Sequence, residues 1–94
     1  MQVRVKYFAA LREITCRSDD TLHLQKDSSA EDAVNLLCKT YGEKLSNYLL
    51  NGKGRLRDVF QVIVNGSTVK RTNLDERRLK DGDTFIILPP VAGG

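Results

Sequence analysis

The stretch "DSSAEDAVNLLCKTYG", residues 27–42, reads as a helix with both ends marked. Ser28 followed by Glu31 forms an S-x-x-E capping box, which satisfies amide groups that the first turn leaves unpaired. Glu31 and Asp32 suit the positive end of the helix dipole. Ala30, Ala33, Val34, Leu37, Cys38 and Tyr41 recur at helical spacing and share one face, and Gly42 supplies a left-handed stop. A helix with one apolar face needs a sheet to cover, so its neighbours decide the fold.

Upstream, "VRVKYF" (3–8) alternates strictly, which turns Val3, Val5 and Tyr7 to one side and Arg4, Lys6 and Phe8 to the other. "AALRE" (9–13) reads as a turn region, and "TLHLQ" (21–25) is a second strand with Leu22 and Leu24 inward and His23 outward. The two strands form an antiparallel hairpin. Downstream, residues 43–58 are less regular, with Leu45, Tyr48 and Leu49 able to pack one helical turn on the core. "NGKGR" (51–55) is a glycine-rich loop without the G-x-x-x-x-G-K-[ST] form of a phosphate loop. "FQVIVNG" (60–66) is a strand ended by the Asn65-Gly66 turn, and "STVKR" (67–71) a short one. Leu74 and Leu79 are isolated apolar anchors before "KDGDTFIILPP" (80–90), which reads as turn, strand and stop. The expected fold is α+β: a mixed four- to five-stranded sheet packed on one main helix, which serves as the crossover after the hairpin.

Composition narrows the class. Ninety-four residues make one small domain, which buries only about 60–65% of its unfolded surface and offers little room for a deep catalytic cleft. No apolar run approaches the roughly 20 residues that span a bilayer, and "MQVRVKYF" does not read as a signal peptide. The expectation is a cytoplasmic protein without a membrane partner. Cys16 and Cys38 stand far apart without a CxxC or Cys/His cluster, so neither a metal site nor a disulfide framework is expected. Cys38 lies on the helix's apolar stripe as a buried thiol, and Cys16 in a turn with no base nearby to activate it. A net charge of +3 admits an acidic protein partner. RNA binding through Lys53, Arg55, Arg57, Lys70, Arg71, Arg77, Arg78 and Lys80 is disfavoured, because no aromatic side chains interleave with them to stack bases. The single histidine, His23, has no companions for catalysis.

The chain closes on "ILPPVAGG" (87–94). Pro89 and Pro90 fix φ and cannot extend a ladder, so the body is expected to end at residue 88 and residues 89–94 to form an extended, flexible tail. Gly93 and Gly94 lack a Cβ and can thread a narrow channel. The segments "VRVKYFAALRE", "VNG" (64–66), "LKDGD" (79–83) and "ILPPVAGG" occur together and in this order. In this the chain resembles the MoaD/ThiS family of ubiquitin-like sulfur carriers, in particular archaeal-type MoaD proteins and small archaeal modifier proteins. The resemblance covers essentially the whole chain and implies the ubiquitin-like β-grasp fold. It departs from many relatives at Cys16, where they carry glycine.

The resemblance implies that Gly94 is the working residue and Val91, Ala92 and Gly93 its tail. An ATP-dependent activating enzyme of MoeB/ThiF type would adenylate the Gly94 carboxylate, and sulfur would replace AMP to leave a thiocarboxylate. That sulfur would pass to a precursor of the molybdenum or tungsten cofactor in a complex with a MoaE-like large synthase subunit. The alternatives are capture of activated Gly94 by lysines of target proteins, or service to thiamin or cysteine synthesis. The chain itself would be no enzyme and would bind no cofactor or metal; ATP would belong to the activating enzyme. Strand alternation adds a docking surface, with Phe8, Ile63, Ile86 and Leu88 outward beside the tail exit and Arg4 and Lys6 on the rim.

Overall fold

Alternation in the outer segments becomes a five-stranded sheet in a computed structural model that describes residues 1–89. Strand β1 (Gln2–Lys6) is followed by helix α1 (Ala10–Thr15), β2 (Asp19–His23), α2 (Ala30–Tyr41) and α3 (Glu43–Leu49). Strands β3 (Gln61–Val64) and β4 (Ser67–Val69) come next, then a 3₁₀ turn at Arg71–Asn73 and β5 (Thr84–Leu88). The sheet order is β2-β1-β5-β3-β4. Only the central β1–β5 pair is parallel; every other pairing is antiparallel. This is the ubiquitin-like β-grasp arrangement, with five strands rather than four.

The period of two decides which side chains meet the helices. Val3, Val5, Val62, Val64, Phe85 and Ile87 are all buried, in one cluster with Ala33, Val34, Leu37, Leu45 and Leu49 of the helices. Leu74 and Leu79 are buried too, and so anchor the long charged segment before β5. Three local readings need correction. Residues 9–13 are not a turn but lead into a six-residue helix, in which Leu11 is buried, Ile14 packs against the core and Thr15 Oγ1 donates to the Leu11 carbonyl at 2.8 Å. One and a half turns are too few for a periodic pattern to show. The α2 cap sits one residue later than expected: Ser29 Oγ accepts from the Asp32 amide at 3.1 Å, and Asp32 Oδ2 accepts from the Ser29 amide at 2.8 Å. Main-chain bonds from Ala30 to the Arg77 carbonyl and from Leu79 to the Ser28 carbonyl hold Ser29 extended at the boundary, while the Ser28 hydroxyl turns back to Gln25. Thirdly, the irregular segment after α2 holds not one turn but the seven-residue α3, whose Leu45 and Leu49 are fully buried.

Cys16 ends α1 at φ 59°, ψ 28°. That left-handed conformation costs a residue with a Cβ about 1–2 kcal/mol, a cost that glycine would avoid. Cys16 is exposed, and Cys38 is buried on α2 with its thiol pKa pushed up by burial, a Ser46 contact opposing.

Two polar knots fasten the sheet. At the start of β5, Asn65 Nδ2 donates to Asp83 Oδ1 at 2.8 Å while Asn65 Oδ1 accepts from the Thr84 amide at 2.9 Å. Asp83 Oδ2 accepts from the Lys80 amide, Asp81 Oδ1 from the Gln2 amide, and the Asp83 carbonyl from the Arg4 amide. The "VNG" and "DGD" segments therefore lock the corner where β1, β3 and β5 meet. They serve the fold, at the end of β5 away from the tail.

The second knot joins the hairpin to the end of α2. Tyr41 Oη donates to Asp20 Oδ2 at 2.6 Å and Tyr7 Oη to the same oxygen at 3.3 Å, with the two rings edge-on at 6.1 Å. Burial, the largest influence, raises the pKa of Tyr7, and contacts with Tyr41 and Asp20 raise it further, so Tyr7 stays protonated. Burial also pushes the Asp20 carboxyl upward, but bonds from Tyr41, the Thr21 amide, Arg17 and Tyr7 outweigh it and hold the pKa below its ordinary 3.8. A depressed folded pKa contributes stability that is present above the unfolded value and lost as pH falls through the folded one. Asp20→Asn is therefore expected to lower stability by about 1–2 kcal/mol at neutral pH. The gap to wild type should shrink as pH drops below 3.8. Urea titrations at neutral and acidic pH check this; a gap that persists in acid would contradict it.

Candidate partner interface and tail exit

One face of the sheet carries the helices; the other is covered by no element among the described residues. Register arranges its side chains in rows. Asp19, Lys6, Ile86, Ile63 and Thr68 stand side by side across all five strands, the widest row on this face. Leu88 lies opposite Gln61 one row nearer the end of β5. Ile63, Ile86 and Leu88 are only half-buried, because they have each other as neighbours and nothing above them. The expected apolar patch is thus partly assembled: three of its four members belong to adjoining rows of β3 and β5.

Phe8 occupies a different position from the strand residue that alternation implies. The chain has left β1 at Lys6, and the Phe8 carbonyl accepts the Leu11 amide at 3.1 Å to open α1. β1 runs parallel to β5, so Phe8 stands at the end where β5 finishes, and it is 42% exposed. Val59 is the other large apolar side chain this exposed among the described residues, also at 42%. It precedes β3, which runs antiparallel to β5 with Gln61 opposite Leu88, so Val59 reaches the same end from the other side. Sequence reading missed it. Extending the alternation of Val62 and Phe60 back by one residue already turns Val59 outward.

Lys6 borders Ile86 directly, but Arg4 sits beside Thr84 at the start of β5, a row away from the apolar pair and farther from the exit. Neither cation is in an ion pair: the two salt bridges among the described residues are Arg17–Asp20 at 3.2 Å and Arg55–Glu31 at 3.7 Å. Lys6 and Arg4 thus remain available as cations on an open face. Some of the other arginines are engaged elsewhere. Arg57 lies over Phe60 at 5.8 Å, and Arg77 and Arg78 donate to the carbonyls of Arg78 and Asp27.

β5 ends at Leu88 and the half-buried Pro89 carries the chain off the sheet. Val91, Ala92, Gly93 and Gly94, together with the expected extended conformation of the tail, lie outside the described residues. Among the described residues no three His, Cys, Asp or Glu side chains gather to hold a metal ion, and no helix is long and apolar enough to cross a membrane. His23 is exposed on β2.

Comparison with known proteins agrees with this architecture. The ThiS family profile matches residues 5–94. Small archaeal modifier protein 3 of Haloferax volcanii is 28% identical over 94 residues, covering 100% of both chains. The crystal structure of SAMP1 from Haloferax volcanii superposes with a TM-score of 0.88 at 26% identity, covering 100% of each chain. A structure described as a putative molybdopterin converting factor, subunit 1, from Pyrococcus furiosus gives a TM-score of 0.75 at 27% identity, over 97% of this chain and 99% of that one. With a β-grasp body, an uncovered sheet face and a profile match that runs through the last glycine, the chain belongs to the ThiS family of small ubiquitin-like carrier and modifier proteins.

Proposed function

We propose that this protein is a sulfur carrier that works through its Gly94 carboxylate, as the small subunit of a molybdopterin-synthase-like complex. A carboxylate is a poor electrophile, because its charge repels nucleophiles and oxide cannot leave. An ATP-dependent activating enzyme of MoeB/ThiF type removes both obstacles. A Gly94 oxygen attacks the α-phosphorus of ATP, pyrophosphate leaves, and the acyl-adenylate forms. A persulfide sulfur then displaces AMP to give an acyl disulfide. A second thiol takes up the donor cysteine as a disulfide and frees the thiocarboxylate. Its sulfur is nucleophilic at neutral pH and passes to a pterin precursor of the molybdenum or tungsten cofactor, on a MoaE-like large subunit. The partners supply acid, base and ATP; this chain supplies the docking face and the terminus.

The observation that carries the reading is the position of the exit. β5 runs down the middle of the open sheet face and ends between Phe8 and Val59, and from Pro89 the chain continues to Gly-Gly. The Pyrococcus furiosus protein's description as subunit 1 of a molybdopterin converting factor supports a carrier that acts beside a larger partner. A second reading has its own support: the Haloferax volcanii relative that is 28% identical is described as a small archaeal modifier protein. In that case a lysine amine of a target displaces AMP from the same adenylate and an isopeptide bond forms. Thiamin or cysteine synthesis would use the same thiocarboxylate. All of these readings share the docking face.

Phe8→Asp and Leu88→Asp test that face. Each is expected to weaken binding to the activating enzyme by about 2 kcal/mol or more, the scale of an interface hot spot. Titration calorimetry reads the loss, with circular dichroism confirming that both variants fold. Wild-type affinity in two folded variants would remove the patch from the proposal.

A further inference from the structure

Strand β2 forms one margin of the sheet, and among the described residues no strand pairs with its outer side. Met1 and Leu24 exchange both main-chain bonds, at 2.8 and 2.9 Å, and the Tyr7 amide donates to the Ser18 carbonyl at 2.9 Å. Antiparallel pairing alternates bonded and non-bonded pairs, so Val3–Leu22 and Val5–Asp20 are bonded pairs as well. The amides and carbonyls of Asp19, Thr21 and His23 then point away from β1. One of them is occupied: the Thr21 amide donates to Asp20 Oδ1 at 2.8 Å. The Thr21 carbonyl and both groups of His23 have no protein partner among the described residues.

A groove of about 400 Å³ runs beside this edge, between β2 and α2. Leu22, Leu36 and Tyr41 give it an apolar lining, and Thr40 and Arg17 border it. Leu36 and Tyr41 remain partly exposed there. The opposite margin differs: β4 has only three residues. Exposed edges are templates for another strand unless the fold blunts them. Here Asp20 blunts the Thr21 end and leaves the His23 end open.

We propose that the outer edge of β2, with the groove between it and α2, is a docking site for an extended peptide strand of another protein, bearing apolar side chains at alternate positions. Only an extended backbone can satisfy a row of donors and acceptors at strand spacing. Its alternate side chains then fall into the groove over Leu36 and Tyr41, while the intervening ones face solvent. This surface lies at the margin of the sheet, apart from the Ile63–Ile86 row, so a partner held here leaves the tail exit open. The inference does not depend on what chemistry Gly94 performs.

The test uses the full-length, isotope-labelled protein and an N-acetylated, C-amidated peptide, Val-Thr-Ile-Thr-Val. Saturable NMR shifts are expected at Thr21, His23, Leu36 and Tyr41, with slowed hydrogen exchange at the His23 amide. His23→Pro removes one outward donor and leaves the β1 ladder intact, since proline is tolerated where an edge amide faces solvent. It should weaken binding about tenfold, equivalent to about 1.4 kcal/mol. Leu36→Lys places a charge in the groove through a side chain, and should have a similar effect should the proline variant fail to fold. Absence of saturable binding, shifts centred on Ile63 and Ile86, or wild-type affinity in the folded variants would overturn the proposal. Protection of the same amides by self-association without peptide would assign the edge to a second copy, and would overturn it too.

Discussion

Deleting Gly94, or adding one residue after it, is expected to abolish adenylation by the cognate activating enzyme and leave the melting temperature unchanged. The two halves of this result have separate causes. The activating enzyme must place one carboxylate oxygen in line with the α-phosphorus of ATP, and misplacement by about 1 Å at a reacting centre can cost about a hundredfold in rate. A missing or extra residue shifts the carboxylate by about 3.3–3.6 Å, several times that tolerance. A side chain at the last position would also meet the walls of a channel that glycine passes. The fold has no such stake. The buried core of the described residues closes with Ile87, seven positions before the end. Pyrophosphate release measured on the truncated and extended proteins, with thermal unfolding in parallel, reads both halves. Full adenylation of the extended protein would contradict the working-terminus account.

Phe85→Ala should have the opposite profile, with a large loss of stability. Phe85 is fully buried on the central strand, with Val5 beside it on β1 and Val64 on β3. Truncating a buried phenylalanine costs about 3–5 kcal/mol, part transfer energy and part cavity. A domain of this size has about 5–15 kcal/mol in total. At about 4–8 °C per kcal/mol, the melting temperature should fall by about 12–40 °C. A loss below about 1 kcal/mol would mean that the centre of the sheet is not the core described above.

Alternation of apolar and polar residues was enough to assign the inward and outward faces of β1 and β2, and the same period of two, applied to the apolar runs of β3 and β5, assigned theirs. Each side chain assigned inward on those strands is buried. Helix α2 announced itself through its apolar stripe, although its cap belongs to Ser29 and Asp32 because tertiary bonds to Arg77 and Leu79 choose the boundary. Helix α1 stayed hidden, since six residues around one buried leucine look like a loop in any periodic reading. The site was legible to a similar degree. Ile63, Ile86 and Leu88 follow from parity alone, and the resemblance singles out Gly94. The position of Phe8 past the end of β1, the place of Val59 across the exit, and the retreat of Arg4 to the far row depend on strand order and register. So does the Tyr7–Asp20–Tyr41 knot, whose members are far apart in the chain. Nothing local marks Asp20 as the group that fastens a hairpin and blunts an edge.

Intact-mass spectrometry of the protein purified from its native cells tests the central claim most directly. The sulfur-carrier account expects a fraction in which one oxygen of the Gly94 carboxylate is replaced by sulfur, a fraction that disappears when the activating enzyme is deleted. Gly94 found joined to lysine in digests would establish the modifier role of the same adenylate. Protein that carries only an unmodified carboxylate, with or without the activating enzyme and with no lysine conjugates, would contradict the account.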